Sequence, residues 1–300
     1  MIFTLHKVSL PHHDSNGFPM ASLLRASTAS SPARPLGAAA SLPLLFTLAA
    51  CTAAPPASAP PAPPATTAAA GHATWSYVGS TGPEHWGDLS PEWSSCSQGA
   101  RQSPIDLATP STEAGPALGL EWGVVDYDTD DEGHGVHVEV EGPATLTLDG
   151  AAFDLLQFHA HTPSEHTIAG RAADAEVHFV HQADDGRLAV VGVLVERGAE
   201  NSAWSEVVDH IEAREHDAEA DETGEGPLDL GTLLPAGLER VSYVGSLTTP
   251  PCTEGVTWVV LTEPVQLSAA QIDVLRDGHD SARPVQPLGD RVLTGAASAG

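Results

Sequence analysis

Gln157-Phe158-His159-Ala160-His161, followed after a turn by Glu176-Val177-His178, decides how this chain is read. Side chains alternate between the two faces of a strand, so His159 and His161 point the same way, one pleat apart. A neighbouring strand carrying His178 brings a third imidazole to the same point. Three neutral imidazoles with one position open are the donor set of a catalytic zinc rather than a structural one. With fifteen histidines in 300 residues, a single His-x-His pair is ordinary, and its neighbours give it weight. Gln157 lies two residues before His159 and Glu176 two before His178. Each therefore shares a face with a histidine that it would orient through the second ring nitrogen. Solvent-facing alternation is the competing explanation, and apolar Leu155, Phe158, Val177 and Phe179 around these positions speak against it. A polar stripe inside apolar strands describes a lined cavity.

Around this centre the chain reads as short strands separated by Gly, Pro and Asp turns. Val136–Val140, Ala144–Leu148, Phe153–His161, Ala175–His181, Leu188–Glu196, Val241–Val244 and Val256–Leu261 suit strands. Asp149-Gly150 and Asp185-Gly186 fall between such runs and read as hairpin turns. Two helices are expected. Ser202–Glu212 places Trp204, Val207, Val208 and Ile211 on one face. Ser268-x-x-Gln271 is a capping box opening a helix that carries Ile272 and Leu275 and stops near Gly278. No internal repeat is visible.

Composition bounds the function. The chain is 41% apolar, which suits a domain with a sizeable core. Its formal net charge is −28. Of the twelve basic residues, Lys7, Arg25 and Arg34 precede Cys51, which leaves nine arginines and no lysine beyond it. Nucleic-acid binding is excluded on this ground, since phosphate contacts need clustered basic groups. So acidic a surface reads as a solubility device, and the run from Glu212 to Glu225 as a solvated loop. Residues 1–50 form a targeting segment, with Met20 a second candidate start. Arg25 and Arg34 precede an apolar stretch, Leu36 to Ala50, too short to span a bilayer. It ends in Leu48-Ala49-Ala50-Cys51, which looks like a bacterial lipoprotein signal with Cys51 acylated. An ordinary secretory signal cleaved nearby is the alternative. Residues 51–70 read as a lipidated cysteine and an extended Ala/Pro-rich tether, and 71–300 as the folded domain.

Four strings occur in a fixed order: Gln-Phe-His-x-His, Pro-Ser-Glu-His-Thr (163–167), Glu-Val-His-Phe-Val-His (176–181) and Ser-Leu-Thr-Thr-Pro-Pro-Cys (246–252). With Gly-Pro-Glu-His-Trp (82–86), Gln-Ser-Pro-Ile-Asp-Leu (102–107) and Arg-Pro-Val-Gln-Pro-Leu (283–288), they span Trp75 to Leu293. The ordered set resembles the α-class carbonic anhydrases in their bacterial secreted form. The resemblance implies a mainly β fold, a large twisted and mostly antiparallel sheet with peripheral helices. It implies a zinc enzyme with one Zn2+ per chain, hydrating carbon dioxide reversibly to bicarbonate and a proton, and open to sulfonamide and anion inhibitors. In the family a cysteine near the amino end commonly bridges the one after Thr-Thr-Pro-Pro, which implies a Cys96–Cys252 disulfide. Assigning Cys51 to lipid leaves just this pair, and two free thiols are the alternative. Such a bridge closes a long loop, worth about 4–5 kcal/mol in the chain-entropy model, and implies an oxidising compartment.

Residue roles carry over position by position. His159, His161 and His178 would hold the metal, which lowers the pKa of bound water to around 7. Carbon dioxide, small and apolar, needs an apolar wall, and the resemblance makes that wall Val180, Val190, Leu247, Val256 and Trp258. Ordinary sheet core is the competing explanation for these residues. A hydroxyl has one proton to give and lone pairs to receive one. If Glu165 accepts the Thr248 proton, Thr248 must accept from the reacting oxygen and so aims it. Thr249 lies beside the substrate in the family. His134 matches the proton-shuttle position, a task suited to an imidazole of ordinary pKa near 6.5. Two positions depart from the family: Glu132 stands where relatives usually carry asparagine, and His137 replaces a small polar residue. His166 and His181 read as structural or orienting. The expected location is outside the cytoplasmic membrane, held by lipid or secreted. A homodimer is the expected assembly only by analogy with relatives. A non-catalytic binding module and a zinc-buffering protein are the rival functions. The presence of all three histidines with Glu165 and Thr248 argues against the first.

Overall fold

The computed structural model describes residues 74–107, 113–131, 134–216 and 227–296. The targeting segment, the tether with Cys51, Glu132 and the acidic run from 217 to 225 lie outside the described residues. In chain order the strands are β1 (Asp106–Leu107), β2 (Leu118–Trp122), β3 (Val124–Asp131), β4 (Val136–Glu141) and β5 (Ala144–Leu148). They continue as β6 (Ala151–His161), β7 (Thr167–Ile168), β8 (Arg171–Ala172), β9 (Ala175–Gln182) and β10 (Leu188–Arg197). The last four are β11 (Leu228–Asp229), β12 (Arg240–Ser246), β13 (Glu254–Leu267) and β14 (Thr294–Ala296). Eleven of them form one sheet, with the path β11-β3-β4-β6-β9-β10-β13-β12-β14 and β2-β5 branching from β6. Its ladders are antiparallel except that β10 runs parallel to β13. β1, β7 and β8 form a separate three-stranded sheet. This is the mixed, mostly antiparallel architecture that the resemblance implies.

The centre of the sheet is β10, whose residues from Ala189 to Val195 are all buried. A near-continuous apolar run is what a strand covered on both faces requires. On one face Phe158, Val177, Phe179, Val191, Val193, Val259 and Leu261 pack into the main core. That core is closed by Trp204, Val207, Val208 and Ile211 of helix α3 (Ser202–His216) and Ile272 of helix α4 (Ala269–Leu275), with the short helices α1 (Trp86–Leu89) and α2 (Ser95–Gln98) elsewhere. These buried side chains each contribute roughly 1.5–3 kcal/mol on burial. On the opposite face a smaller cluster gathers Ile105, Val190, Leu194, Tyr243, Val256, Trp258 and Val260, and the polar residues of the site stand on this side.

Hairpin chemistry follows the sequence. Asp149 and Gly150 both have positive φ, 48° and 83°, as a two-residue turn of the primed type demands. The Ser268 hydroxyl accepts from the Gln271 N–H and the Gln271 side chain accepts from the Ser268 N–H, which completes the capping box of α4. Three expectations are corrected. The helix from Ser202 runs past Glu212 to His216, so the start of the acidic run is helical rather than loop, because Glu, Ala and Arg are good helix formers. Strand β13 extends through Pro264 to Leu267, beyond the expected Leu261. Strands β2 and β3 were not anticipated: Asp and Glu have low strand propensity, and burial of Val125, Tyr127 and Thr129 on one face overrides it.

The strand carrying His159 and His161 contains a bulge. Leu155 pairs with His181 but Gln157 pairs with Val180, which leaves Leu156 as the extra residue. Without it, strict alternation would put Leu155 on the same face as His159. With it, Leu155 and Phe158 both enter the main core, while Leu156 is 45% exposed. A bulge beside a site that re-aims side chains is a recurrent device.

Candidate metal centre

His159 and His178 face each other directly across the β6–β9 ladder, and His161 stands one pleat further along. Ligand atoms of the three histidines all lie within 4.8 Å of one another, and the ring centroids are 4.6–5.4 Å apart. The second nitrogen of each ring faces a polar partner. His159 Nδ1–H donates to Gln157 Oε1 at 2.8 Å. His161 Nδ1–H donates to the Ser281 carbonyl at 2.7 Å. His178 Nε2 lies 3.1 Å from Glu176 Oε1, off the axis of a well-formed hydrogen bond. With these partners His161 and His159 turn Nε2, and His178 turns Nδ1, toward one point. His161 Nε2 is buried and makes no hydrogen bond. Burial lowers the pKa of all three imidazoles, that of His161 to about 4 and that of His159 well below its ordinary value. Neutral rings, fixed tautomers and an unsatisfied inner nitrogen fit a divalent ion that takes imidazole donors, such as zinc.

Glu176 is a wholly buried carboxylate with two duties. Beyond His178 it accepts from the His166 N–H at 2.8 Å and from His166 Nδ1–H at 2.7 Å. The other His166 nitrogen meets the Tyr243 hydroxyl at 2.7 Å, which in turn meets Ser103 Oγ at 2.8 Å. Space for Glu176 comes from Gly192: a Cβ there would sit 2.8 Å from Glu176 Oε1. Burial works against this carboxylate's charge, but His166 and His178 beside it hold its pKa well below the usual range.

Glu165 approaches the same centre. Its Oε2 lies 3.7 Å from His161 Nε2 and 4.0 Å from His178 Nδ1, and its Oε1 accepts from the Arg283 N–H at 2.8 Å. Burial pushes its pKa up to about 7, against the pull of His178, Arg283 and the Thr248 hydroxyl. Thr248 itself is buried on the segment after β12.

A cavity of about 290 Å³ opens over the histidines. Val180, Val190, Leu247 and Trp258 line one side with Thr248 and Thr249, and Leu188 joins them unanticipated. Val256, 1% exposed, belongs to the same apolar cluster as Val190 and Trp258 and packs behind this wall. His134 and His137 line the other side. His137 stacks on His159, with centroids 4.8 Å apart. His134 stacks on Trp75 at 3.7 Å and its Nε2–H donates to the Trp75 carbonyl at 2.8 Å. Trp75 and Tyr77, also lining residues, went unread as site residues, since aromatic residues near a domain's start carry no chemical signature. Cys96 and Cys252 form a disulfide.

The family model described as eukaryotic-type carbonic anhydrase matches residues 81–296. A carbonic anhydrase of Pectobacterium atrosepticum is 38% identical over 225 residues, covering 73% of this chain and 89% of that protein. One from Neisseria gonorrhoeae is 38% identical, covering 74% and 88%. The α-carbonic anhydrase of Thermovibrio ammonificans, solved in complex with the inhibitor sulfanilamide, superposes with a TM-score of 0.66 at 39% identity, covering 75% of this chain and all of that one. The chain therefore belongs to the eukaryotic-type, or α-class, carbonic anhydrases, a family of enzymes that hydrate carbon dioxide.

Proposed function

We propose that this enzyme hydrates carbon dioxide with one zinc ion held by His159, His161 and His178, with Glu165 and Thr248 orienting the reacting oxygen and His134 passing the proton to solvent. The observation that carries it is the convergence of three imidazoles, two of them buried and one half-buried, at the floor of a cavity with one apolar side, with Gln157 and the Ser281 carbonyl bonding the outer nitrogens of His159 and His161 and Glu176 beside that of His178. When bound, zinc supplies a water of lowered pKa, and so a nucleophile at neutral pH. Gln157, the Ser281 carbonyl and Glu176 hold the rings so that their lone pairs face inward. Thr248 gives its proton to Glu165 and must then accept one, which fixes the direction of the attacking lone pair. Val180, Val190, Leu247 and Trp258 offer carbon dioxide a surface with no competing hydrogen bonds. His134, on the cavity's polar side, suits the exit of the proton, and its bonded Nε2 leaves Nδ1 for the cavity. Sulfonamide and anion inhibition belong to the same reading, on the strength of the Thermovibrio relative's complex.

Export and lipid attachment at Cys51 are part of the proposal, supported by residues 25–51 and by a disulfide suited to an oxidising compartment. Mass spectrometry of the protein taken from membranes tests this half, through an acylated Cys51 terminus. Thr248→Ala tests the chemical half. Turnover per bound zinc should fall about 100-fold, the scale of losing one positioned hydrogen-bonding group, while zinc stays bound. Undiminished turnover would refute the orienting role.

A further inference from the structure

Residues 280–288 have no regular secondary structure, yet two of their backbone groups reach the site. The Ser281 carbonyl accepts from the ligand His161, 120 residues away, and the Arg283 N–H donates to Glu165, 118 residues away. A strand holds such groups through its ladder; an irregular segment needs another anchor. The Arg283 side chain is placed to be that anchor. It is 2% exposed, and among the described residues none of the ion pairs involves it. Its guanidinium instead donates to neutral acceptors: Nη1 to Gln102 Oε1 at 2.9 Å and the Ser103 carbonyl at 2.8 Å, and Nη2 to the Cys96 carbonyl at 2.8 Å. The guanidinium carbon lies 5.7 Å from the Trp86 ring centroid.

These acceptors are themselves tied to the segment bearing Thr248. Cys96 is bridged to Cys252. Gln102 Nε2 donates to the Cys252 carbonyl at 3.1 Å. Ser103 and Ser246 exchange two hydrogen bonds, Ser103 N–H to Ser246 Oγ at 2.9 Å and Ser246 N–H to Ser103 Oγ at 3.1 Å. Residues 246 and 252 bracket Thr248. A planar fork reaches acceptors on separate chain segments from two nitrogens held in fixed directions, whereas a lysine offers its three donors from a single nitrogen.

We propose that Arg283 is a positioning residue for the reaction: its buried guanidinium locks Ser281–Arg283 against the disulfide-bearing segments, so that His161, Glu165 and Thr248 are held in one frame. This rests on the roles given above to Glu165 and Thr248, and in part only on the zinc site, which allows the two to be tested apart.

The test uses full-length holoenzyme, with Arg283→Met, Arg283→Lys, Thr248→Ala and the double variant Arg283→Met/Thr248→Ala. Turnover is expressed per bound zinc, and zinc affinity is measured separately by competition with a chelator. Arg283→Met should lower kcat roughly 10- to 100-fold, the cost of a misplaced catalytic group, with KM changed less than about twofold. Zinc affinity should weaken about 10-fold, as for loss of an orienting partner of a ligand. In the Thr248→Ala background the same substitution should cost kcat less than about threefold, because the unit it positions is already broken. A lowered melting temperature with kcat per zinc and zinc affinity both unchanged overturns the proposal and makes Arg283 a stability residue only. Full additivity in the double variant overturns the link to Glu165. If Thr248→Ala alone proves silent, the orienting pair is lost, and zinc affinity then decides: weakened in Arg283→Met it supports the anchor, unchanged it overturns it. Should Arg283→Met not fold, Arg283→Lys, which keeps the charge but not the fork, is expected to show the same split at roughly 3- to 10-fold, and no change there has the overturning sense.

Discussion

His178 and His181 stand three residues apart on β9, on opposite faces of one sheet, and they lead opposite lives. Both are almost fully buried, 1% and 0% exposed. His178 has a carboxylate beside each nitrogen, Glu176 at 3.1 Å and Glu165 at 4.0 Å, and two further imidazoles in front of it. His181 has no well-formed hydrogen bond at either nitrogen and stacks on Trp122. Burial lowers the pKa of each. On one face the neutral ring joins a group of three that could hold an ion; on the other it packs against Trp122. Residue type and burial do not distinguish the two. The groups that the opposing strands place around each ring do.

Four measurements would break or sharpen this contrast, the largest effect first. His178→Ala should abolish carbon dioxide hydration and weaken zinc binding by about 100-fold or more, beyond the 10–100-fold typical of an orienting residue. Zinc held as tightly as before would remove His178 from the metal site. Phe179→Ala, one residue along and 0% exposed in the main core, should cost about 3–5 kcal/mol of stability yet leave turnover per bound zinc nearly unchanged. A drop in both would mean the two faces are not separable.

The third measurement concerns acid. Burial lowers the His181 pKa to about 4, with Asp154 and the backbone of Phe179 and Ala189 pulling weakly the other way. The unfolded chain therefore binds a proton near pH 6.5 that the folded chain refuses until about pH 4. Stability is intact above 6.5 and declines as pH falls toward 4, by up to about 3 kcal/mol. His181→Phe keeps the stack on Trp122 and should flatten this part of the urea-denaturation profile against pH. An identical slope in the variant would show that other groups carry the acid sensitivity. The smallest effect is expected in the separate three-stranded sheet. Thr167 Oγ1–H at 2.6 Å and the Gly170 N–H at 2.8 Å hold the half-buried Asp106 carboxyl below the usual range. Its contribution is present above the ordinary carboxylate pKa and lost as pH falls through the folded value. Asp106→Asn should cost about 0.5 kcal/mol, read as a small shift in the denaturation midpoint near neutral pH.

Much of the site was legible because its parts are local. His159, His161 and Gln157 share a face through the two-residue period of a strand, and the capping box at Ser268 and the turn at Asp149-Gly150 are written in adjacent residues. The bulge at Leu156 was not legible, since it is a relation between two strands. Nor was the depth of each wall residue: residues of one parity share a face, but depth beneath a cavity depends on what the neighbouring strands cover.

Alternation alone determined that His159, His161 and Gln157 share a face and that Glu176 shares one with His178, because a period of two is a property of the chain itself, while the ordered motifs brought Glu165 to them through the family resemblance. Only the tertiary structure decided what holds them. The Ser281 carbonyl on His161, the Arg283 N–H on Glu165 and the sharing of Glu176 between His166 and His178 are long-range or backbone contacts. A backbone carbonyl or N–H is the same at nearly every residue, so nothing in the letters marks the one that folding brings to the site.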